Sequence, residues 1–451
     1  MDSENWDAWL ADLIREHGIP GASLAVLRDG ETRTATAGVT NRDTQVEVTP
    51  DTLFQIGSIA KAYTATAVMR LAERGDLGLD APVRDLLKNF KVADPVVTNT
   101  VTPRHLLAHT SGIAGECFED TGRGDDALER YVATCAPLGQ DLPLGRTMSY
   151  CNTGYSILGR MIEQVTGKVW DEAMRELLLD PLELAYTTIL PEEALKHRVA
   201  WGHVSPEPGA PPQPAPRWDD ARSLAPMGGI AASASDLIAF AGLHLAGGRD
   251  GVLSGGSVTE MQRVQVDVPE RWATGDHWGL GWILRDWDGR RLFGHDGNMT
   301  GQSSHLVVHP TSKVAIALLA NVSNSHELAL AVLGPLLREL CRIEMPAWPE
   351  PTDDDSGNDV LGRYERYGIR LDITRPNGHL RATASVIEPL LSQEPGEDHQ
   401  PISFPLKRST GGPDVYVAQI PGTQTWMPAV FFDIDGERYV HMGARAQRRV
   451  A

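Results

Sequence analysis

Ser58 and Lys61 stand three residues apart in the stretch Ser58-Ile59-Ala60-Lys61. On a helix that spacing puts both side chains on one face, about a turn apart. A serine hydroxyl attacks an acyl group only when a neighbouring base takes its proton. A lysine becomes that base when burial or the positive end of a helix lowers its pKa. Two further groups of residues extend the chemistry. Tyr150-Cys151-Asn152 offers a phenol that can relay protons and, two residues on, an amide that can hold the lysine and the amide of an acyl donor. His295-Asp296-Gly297 offers an imidazole that can bond the tyrosine oxygen or the substrate, with Gly297 small enough for substrate to approach the backbone. The tetrapeptide alone is a weak signal, because a serine helix cap followed by a surface lysine has the same letters. The three groups together point to acyl transfer through a serine.

The elements that must position these residues can be read from hydrophobic spacing. Thr52 to Gly57 reads as extended and Ala62 to Arg74 as helical, so Ser58 falls at a helix start, where its own N–H is free to face an oxyanion. Trp6, Trp9, Leu10, Leu13 and Ile14 are at helical spacing, ended by Gly18 and Pro20. Ala22 to Arg28, Asp29-Gly30 and Glu31 to Thr40 form a hairpin pattern. Helices and loops dominate to about residue 200, and the proline-rich stretch 205–217 must be a surface loop. Residues 234–246 are helical in pattern. Trp278 to Asp286, Arg290 to Gly294, Ser304 to His309 and Val314 to Leu319 are strand-like, and Leu328 to Arg342 is helical again. The pattern predicts an α+β fold, an antiparallel sheet flanked by helices with a helical lobe inserted between its strands. Residues 346–359, rich in proline and acid and including Asp353 to Asp355, read as a solvated linker. Residues 360–451 show short alternating runs with turn signals, including Gly368 to Thr374, His379 to Val386, Val415 to Ile420, Ala429 to Ile434 and Arg438 to Met442. They predict a small all-β domain, sandwich or barrel. The expected organisation is a catalytic domain over 1–345, the linker 346–359 and the β domain 360–451.

Composition excludes several classes of function. Among 451 residues, 41 Lys and Arg face 60 Asp and Glu, a formal charge of −19. That balance argues against nucleic acid and against anionic membrane surfaces. No apolar run reaches membrane-spanning length, and the acidic start Met1-Asp2-Ser3-Glu4-Asn5-Trp6 is unlike a secretory leader, so a cytoplasmic protein is expected. Cys117, Cys135, Cys151 and Cys341 lack metal-ligand spacing and read as free thiols.

Ser-x-x-Lys, Tyr-x-Asn and His-x-Gly, in that order, resemble the three motifs of the serine β-lactamase and penicillin-binding-protein superfamily, in its class C, carboxypeptidase and esterase branch. The stretch Thr102 to Gly112, which contains His109-Thr110-Ser111-Gly112, is similar to that branch, as are Met227-Gly228-Gly229 and Trp278-Gly279-Leu280-Gly281-Trp282. The resemblance covers roughly residues 8–340. It implies Ser58 as the acylated nucleophile, Lys61 and Tyr150 as shared base and acid, Asn152 as orienter of the lysine and the acyl donor, and His295 in the third-motif place, where class C β-lactamases carry lysine. It implies an oxyanion hole from the backbone N–H groups of Ser58 and Asn298, and no metal or cofactor. Gly228, Gly229, Gly297, Trp278 and Trp282 are substrate-binding candidates, although strand spacing also fits both tryptophans as core. His105 and His109 read as packing and loop residues, and Cys151 as a buried filler.

The expected substrate is an acyl or peptidyl group, with a carrier-protein thioester as one form of delivery. The sharpest expectation is a thioesterase similar to the penicillin-binding-protein-type peptide cyclases of nonribosomal peptide assembly, which carry a small lipocalin-like β domain. In that reading the peptide's own amine replaces water in attacking the acyl-enzyme. Arg445, in the C-terminal stretch His441 to Arg449, is a candidate clamp for a peptide carboxylate. Arg123, Arg146 and Arg222 are candidates for a basic docking patch. The alternatives are a carboxylesterase or amidase, a D-amino-acid peptidase, and a non-catalytic ligand sensor, which would have no need of all four of Ser58, Lys61, Tyr150 and Asn152.

Overall fold

The structure, a computed structural model, describes residues 5–451 apart from 208, 220, 324, 355, 358, 388–399, 422 and 424. Residues 1–4 of the expected catalytic domain, and Asp355 and Asn358 of the expected linker, therefore lie outside the described residues.

An eight-stranded antiparallel sheet organises the first three-quarters of the chain. Its strands are β1 (Gly21–Arg28), β2 (Glu31–Gly38), β3 (Val266–Asp267), β4 (His277–Trp278), β5 (Ile283–Trp287), β6 (Arg290–Met299), β7 (Gln302–His309) and β8 (Val314–Ala320), in the order β2-β1-β8-β7-β6-β5-β4-β3. The N-terminal hairpin thus closes onto strands some 290 residues later, with Ala22 opposite Ala320 and Arg28 opposite Val314. Period-two alternation divides the sheet's two cores. Leu24, Val26, Ile316 and Leu318 face helix α1 (Trp6–Glu16) and the C-terminal helix His326–Leu336. Ala25, Ala317, Leu319 and Leu306 face the larger helical core. Both faces are covered, which explains why β1 and β8 read as continuous apolar runs.

The helical lobe lies between the two halves of the sheet in sequence. Helix α2 (Ala60–Glu73) is buried along most of its length, and helix α3 (Thr153–Thr166) packs beside it. Helix α4 (Ala234–Leu245) covers the inner sheet face. The proline-rich loop is pinned at its base. His203–Val204 pairs with Gln213–Pro214, and the Trp201 indole N–H donates to Ala215 O at 2.8 Å.

One expected strand is corrected. Trp278 to Asp286 is a hairpin rather than a single strand, since Ile283 pairs with Trp278 and Leu284 with His277. Gly279 and Gly281 make the reversal. Gly281 adopts φ +80, and a Cβ on Gly279 would stand 2.2 Å from Met261 O.

The C-terminal region is a closed eight-stranded up-and-down barrel, β9 (Gly362–Arg366), β10 (Ile369–Thr374), β11 (Arg381–Val386), β12 (Ile402–Arg408), β13 (Val415–Ala418), β14 (Met427–Ile434), β15 (Glu437–Met442) and β16 (Arg445–Arg449). Closure comes from β9 pairing with β16. Its interior is filled by Tyr364, Leu371, Phe404, Tyr416, Phe431 and Val440, so it has its own core.

Candidate active site

Ser58 lies in a single 3-10 turn (Gly57–Ile59) that leads into α2. Gly57 makes this entry possible. It adopts φ +50, and a Cβ there would stand 2.7 Å from Asn298 N, so the strand β6 backbone lies directly against the turn. The backbones of Ser58 and Asn298 therefore border the same spot, as an oxyanion hole requires. Gly297 serves this same approach. Its missing Cβ would lie 2.0 Å from Ile56 O and 2.5 Å from Ser304 Oγ, so its smallness admits the Ile56–Gly57 backbone and not a substrate. That corrects the substrate-binding role expected for Gly297.

One turn into the helix, the Lys61 Nζ lies 3.1 Å from Ser58 Oγ and donates to Met227 O at 2.5 Å. The side chain is fully buried. Burial, joined by the positive charge of Arg445, holds its pKa well below the ordinary lysine value. A lysine whose charged form is disfavoured, beside a serine hydroxyl, is placed to take its proton. Asn152 was expected to hold this lysine, but among the described residues no hydrogen bond joins them, and the Met227 carbonyl takes that place. The Asn152 backbone N–H donates to Gly115 O at 2.9 Å, and its side chain faces the cleft.

Tyr150 arrives from the segment before α3. Its ring lies 5.0 Å from Lys61 Nζ and stacks on His109 at 4.3 Å. Burial raises the phenol well above its ordinary value, against the pull of Ser58 and Arg445. It is a neutral phenol, able to pass a proton. His109, read from sequence as a packing residue, has a larger part in the geometry. Its Nδ1 accepts from Cys151 N at 2.9 Å, and its carbonyl accepts from Ser149 N at 3.0 Å. It thus fixes the residues on both sides of Tyr150 as well as the ring itself. Cys151 is an inert filler, its thiol pushed up to about 11 by burial. His105 belongs to a capping box with Thr102.

His295 is on β6, facing Tyr150 with ring centroids 6.2 Å apart. Its Nδ1 is 2.6 Å from Asp296 O. A carbonyl only accepts, so Nδ1 carries the proton and Nε2 is left as an acceptor without a protein partner. Burial, with Lys61 nearby, pulls the pKa down to about 3, so the ring is neutral. The Asp296 carboxylate is held by Arg285 at 2.7 Å and His305 at 2.9 Å.

Ser58, Tyr150, Asn152, His295 and Asp296 border a cleft of about 990 Å³, lined also by Gly228, Gly229, Trp278, Asn298 and Arg445. Trp278 is fully buried, stands edge-on to Tyr150 and His295, and has an unpartnered indole N–H. Trp282 is not part of the cleft. It packs on Phe293 and His244 in the core, because the glycine turn reverses the chain between the two tryptophans. The end of the proline-rich loop, Arg217 to Asp219, contributes to the wall, and Asp219 accepts from Thr300 N at 2.8 Å. The three arginines considered for docking are all engaged: Arg123 with Glu192, Arg146 with Asp435, and Arg222 with Asp125 and Asp171. Among the described residues no His, Cys, Asp and Glu group could hold a metal, and no helix is long and apolar enough to cross a membrane.

Residues 6–333 match the model of the Beta-lactamase family. Penicillin-binding protein 4 of Amycolatopsis lactamdurans is 46% identical over 379 residues, 82% of this chain and 99% of that protein. A crystal structure of SurE superposes with a TM-score of 0.78 at 30% identity, covering 98% of both chains, as does a structure of SurE with D-Leu. A class C beta lactamase from Rhodobacter sphaeroides shares the fold, with a TM-score of 0.61 at 23% identity over 75% of this chain and 100% of its own.

Proposed function

The chain belongs to the Beta-lactamase family of serine acyl-transfer enzymes, and on that premise we propose that it is a thioesterase that releases and macrocyclises a nonribosomal peptide through an acyl-enzyme on Ser58. The observation that carries this reading is the buried Lys61, its charged form disfavoured by burial, set 3.1 Å from the Oγ of Ser58, which lines a cleft large enough for a peptidyl chain. The likeness to SurE runs over 98% of both chains, and the SurE structure with D-Leu supports a substrate that contains a D-amino acid.

In the proposed reaction Lys61 takes the Ser58 proton as Oγ attacks the thioester carbonyl. The oxyanion faces the N–H groups of Ser58 and Asn298. Collapse breaks the C–S bond, and the leaving thiolate takes a proton delivered through Tyr150 and Lys61. The peptide's N-terminal amine then attacks the ester, gives up its proton by the same route, and the ester C–O bond breaks to return Ser58. Cyclisation outruns hydrolysis when the amine is held near the carbonyl and water is kept away. Asn152 faces the donor's amide, and Arg445 lies on the wall where a chain end would be held.

A simple hydrolase of D-amino-acid amides, esters or peptides is the second reading, favoured by the 46% identity to a penicillin-binding protein. One experiment separates the two. A short peptidyl thioester with a free N-terminus and either a D or an L C-terminal residue is incubated with the enzyme and with Ser58→Ala, and product masses are read. A Ser58-dependent product one water lighter than the linear acid, formed from the D substrate, is expected. Linear acid alone would leave the hydrolase, and no Ser58-dependent product would sink both.

A further inference from the structure

Among the described residues, the barrel reaches the cleft through the turn between β15 and β16. Met442 pairs with Arg445, so Gly443 and Ala444 form a two-residue turn in which both residues have positive φ, +60 and +66. Glycine and asparagine favour that turn; alanine does not. The strained Ala444 is held from the catalytic side, where its carbonyl accepts the Tyr150 N–H at 2.9 Å. Two residues on, the Ala446 N–H donates to Ser149 Oγ at 3.1 Å. Arg445 between them lies with Cζ 5.3 Å from the centre of the Tyr150 ring.

Its guanidinium is anchored by Glu116. One carboxylate oxygen ion-pairs with Arg445 Nε at 2.9 Å and the other with Arg366 of the barrel. Burial works to raise the Glu116 pKa, but the two arginines hold it below the ordinary carboxylate value. Glu116 is thus a catalytic-region carboxylate clamped by two barrel guanidiniums, beside the segment that carries Asn152.

We propose that Glu116 and the 443–445 turn are a positioning device for the nucleophile's base: Glu116 fixes the Arg445 charge over Tyr150, so that the barrel sets a fixed positive charge beside the ring that Lys61 faces. The barrel is then a working part of the active site. This inference rests on Ser58, Lys61 and Tyr150 acting as proposed above. It predicts a direction. Arg445 is the positive charge that disfavours protonation of Lys61. Without it, or without the anchor that fixes it, Lys61 holds its proton to higher pH.

Other groups face the same pair. His109 packs from the segment after the short helix Pro103–Leu107, and Cys151 and Tyr155 from the start of α3. His295 and Asp296, with Arg285 behind them, face it from the sheet. Asp141 and His441 lie near Arg445 at the barrel contact. Burial pushes Asp141 up to about 6, so it titrates in the window of interest and needs its own control.

The test is the pH profile of kcat/KM for the full-length enzyme on a small activated ester. Ser58→Ala first establishes that turnover runs through the serine. Arg445→Gln should move the acid limb to higher pH by about half to one unit, the size expected for one nearby charge in a partly screened site. Glu116→Gln, which frees the guanidinium to leave Tyr150, should move it the same way but by less, because the lost carboxylate by itself lowers the Lys61 pKa, and the double variant no further than the larger single shift. Arg445→Lys should restore much of the limb, and Asp141→Asn should leave it in place. A purely structural contact would lower kcat without moving the limb. An unmoved limb in both single variants, a shift to lower pH in Glu116→Gln, or additive shifts would overturn the inference while leaving the serine mechanism intact. Ser58-independent turnover would overturn both. Should Arg445→Gln fail to fold, Glu116→Gln, which keeps every barrel residue, carries the same reading.

Discussion

Two basic side chains reach Tyr150 from two regions of the molecule, and burial treats them in opposite ways. Lys61 comes from the first turns of α2, fully buried, with a carbonyl and a hydroxyl for partners and no carboxylate. Arg445 comes from the barrel, paired with Glu116, which Arg366 also clamps. A buried cation without an anion gives up its proton, and a guanidinium beside a carboxylate does not. One becomes a base and the other a fixed charge. The catalytic region thus supplies a group that changes protonation, and the barrel one that sets the field around it.

The variants that break this contrast fall in order of effect. Ser58→Ala should lower turnover by about 10⁴-fold or more, since a nucleophile has no substitute. Lys61→Met should come close to that in rate while raising stability at pH 7 by about 1–2 kcal/mol, because an apolar chain of similar shape needs no partner. The sign follows from the lowered pKa. The unfolded chain binds a proton that the folded chain excludes, so Lys61 opposes folding between its lowered folded pKa and the ordinary lysine value, and less so as pH rises through that window. Thermal melts beside rate assays check both halves, and a variant that is slow and also less stable would refute the pairing.

Tyr150→Phe keeps the ring stacked on His109 and removes only the hydroxyl, so a loss of about 10²–10³ in kcat with an unchanged melt is expected. Glu116→Gln tests the other partner. Its ion pairs stabilise the fold above the ordinary carboxylate pKa, and that contribution is lost as pH falls through its depressed folded value. Breaking the pair should cost about 3 kcal/mol at pH 7 with a smaller effect on rate, read by urea unfolding at pH 7 and again in acid, where the difference should shrink. Equal stability of wild type and variant at pH 7 would remove Glu116 as an anchor.

Much of this was legible from the letters because it is local. Hydrophobic spacing found the N-terminal helix, the first hairpin, α4, three of the sheet's later strands and five of the barrel's eight. Motif spacing found Ser58, Lys61, Tyr150 and His295, which the fold brings to one cleft. The misreadings arose where two segments meet. The stretch from Trp278 alternates like one strand, and only the close packing of Gly279 on Met261 shows it to be a hairpin, which sends Trp282 into the core. Gly297 looked like room for substrate, and Ile56 occupies that room. His109 could have been found from its place in His-Thr-Ser-Gly, whereas the Met227 carbonyl and Glu116 carry no signal at all.

The sequence by itself determined the kind of chemistry, because nucleophile, base, phenol and imidazole are properties of side chains, and their order along the chain is specific. It also determined that a β domain follows, because alternation with turns is a local signal. Burial and packing set the lowered pKa of Lys61, the neutral ring of His295, the partners of Arg445 and the walls of the cleft. Those depend on burial and on charges placed a few ångströms apart by residues as far separated in sequence as Glu116 and Arg445, and no spacing rule spans that distance.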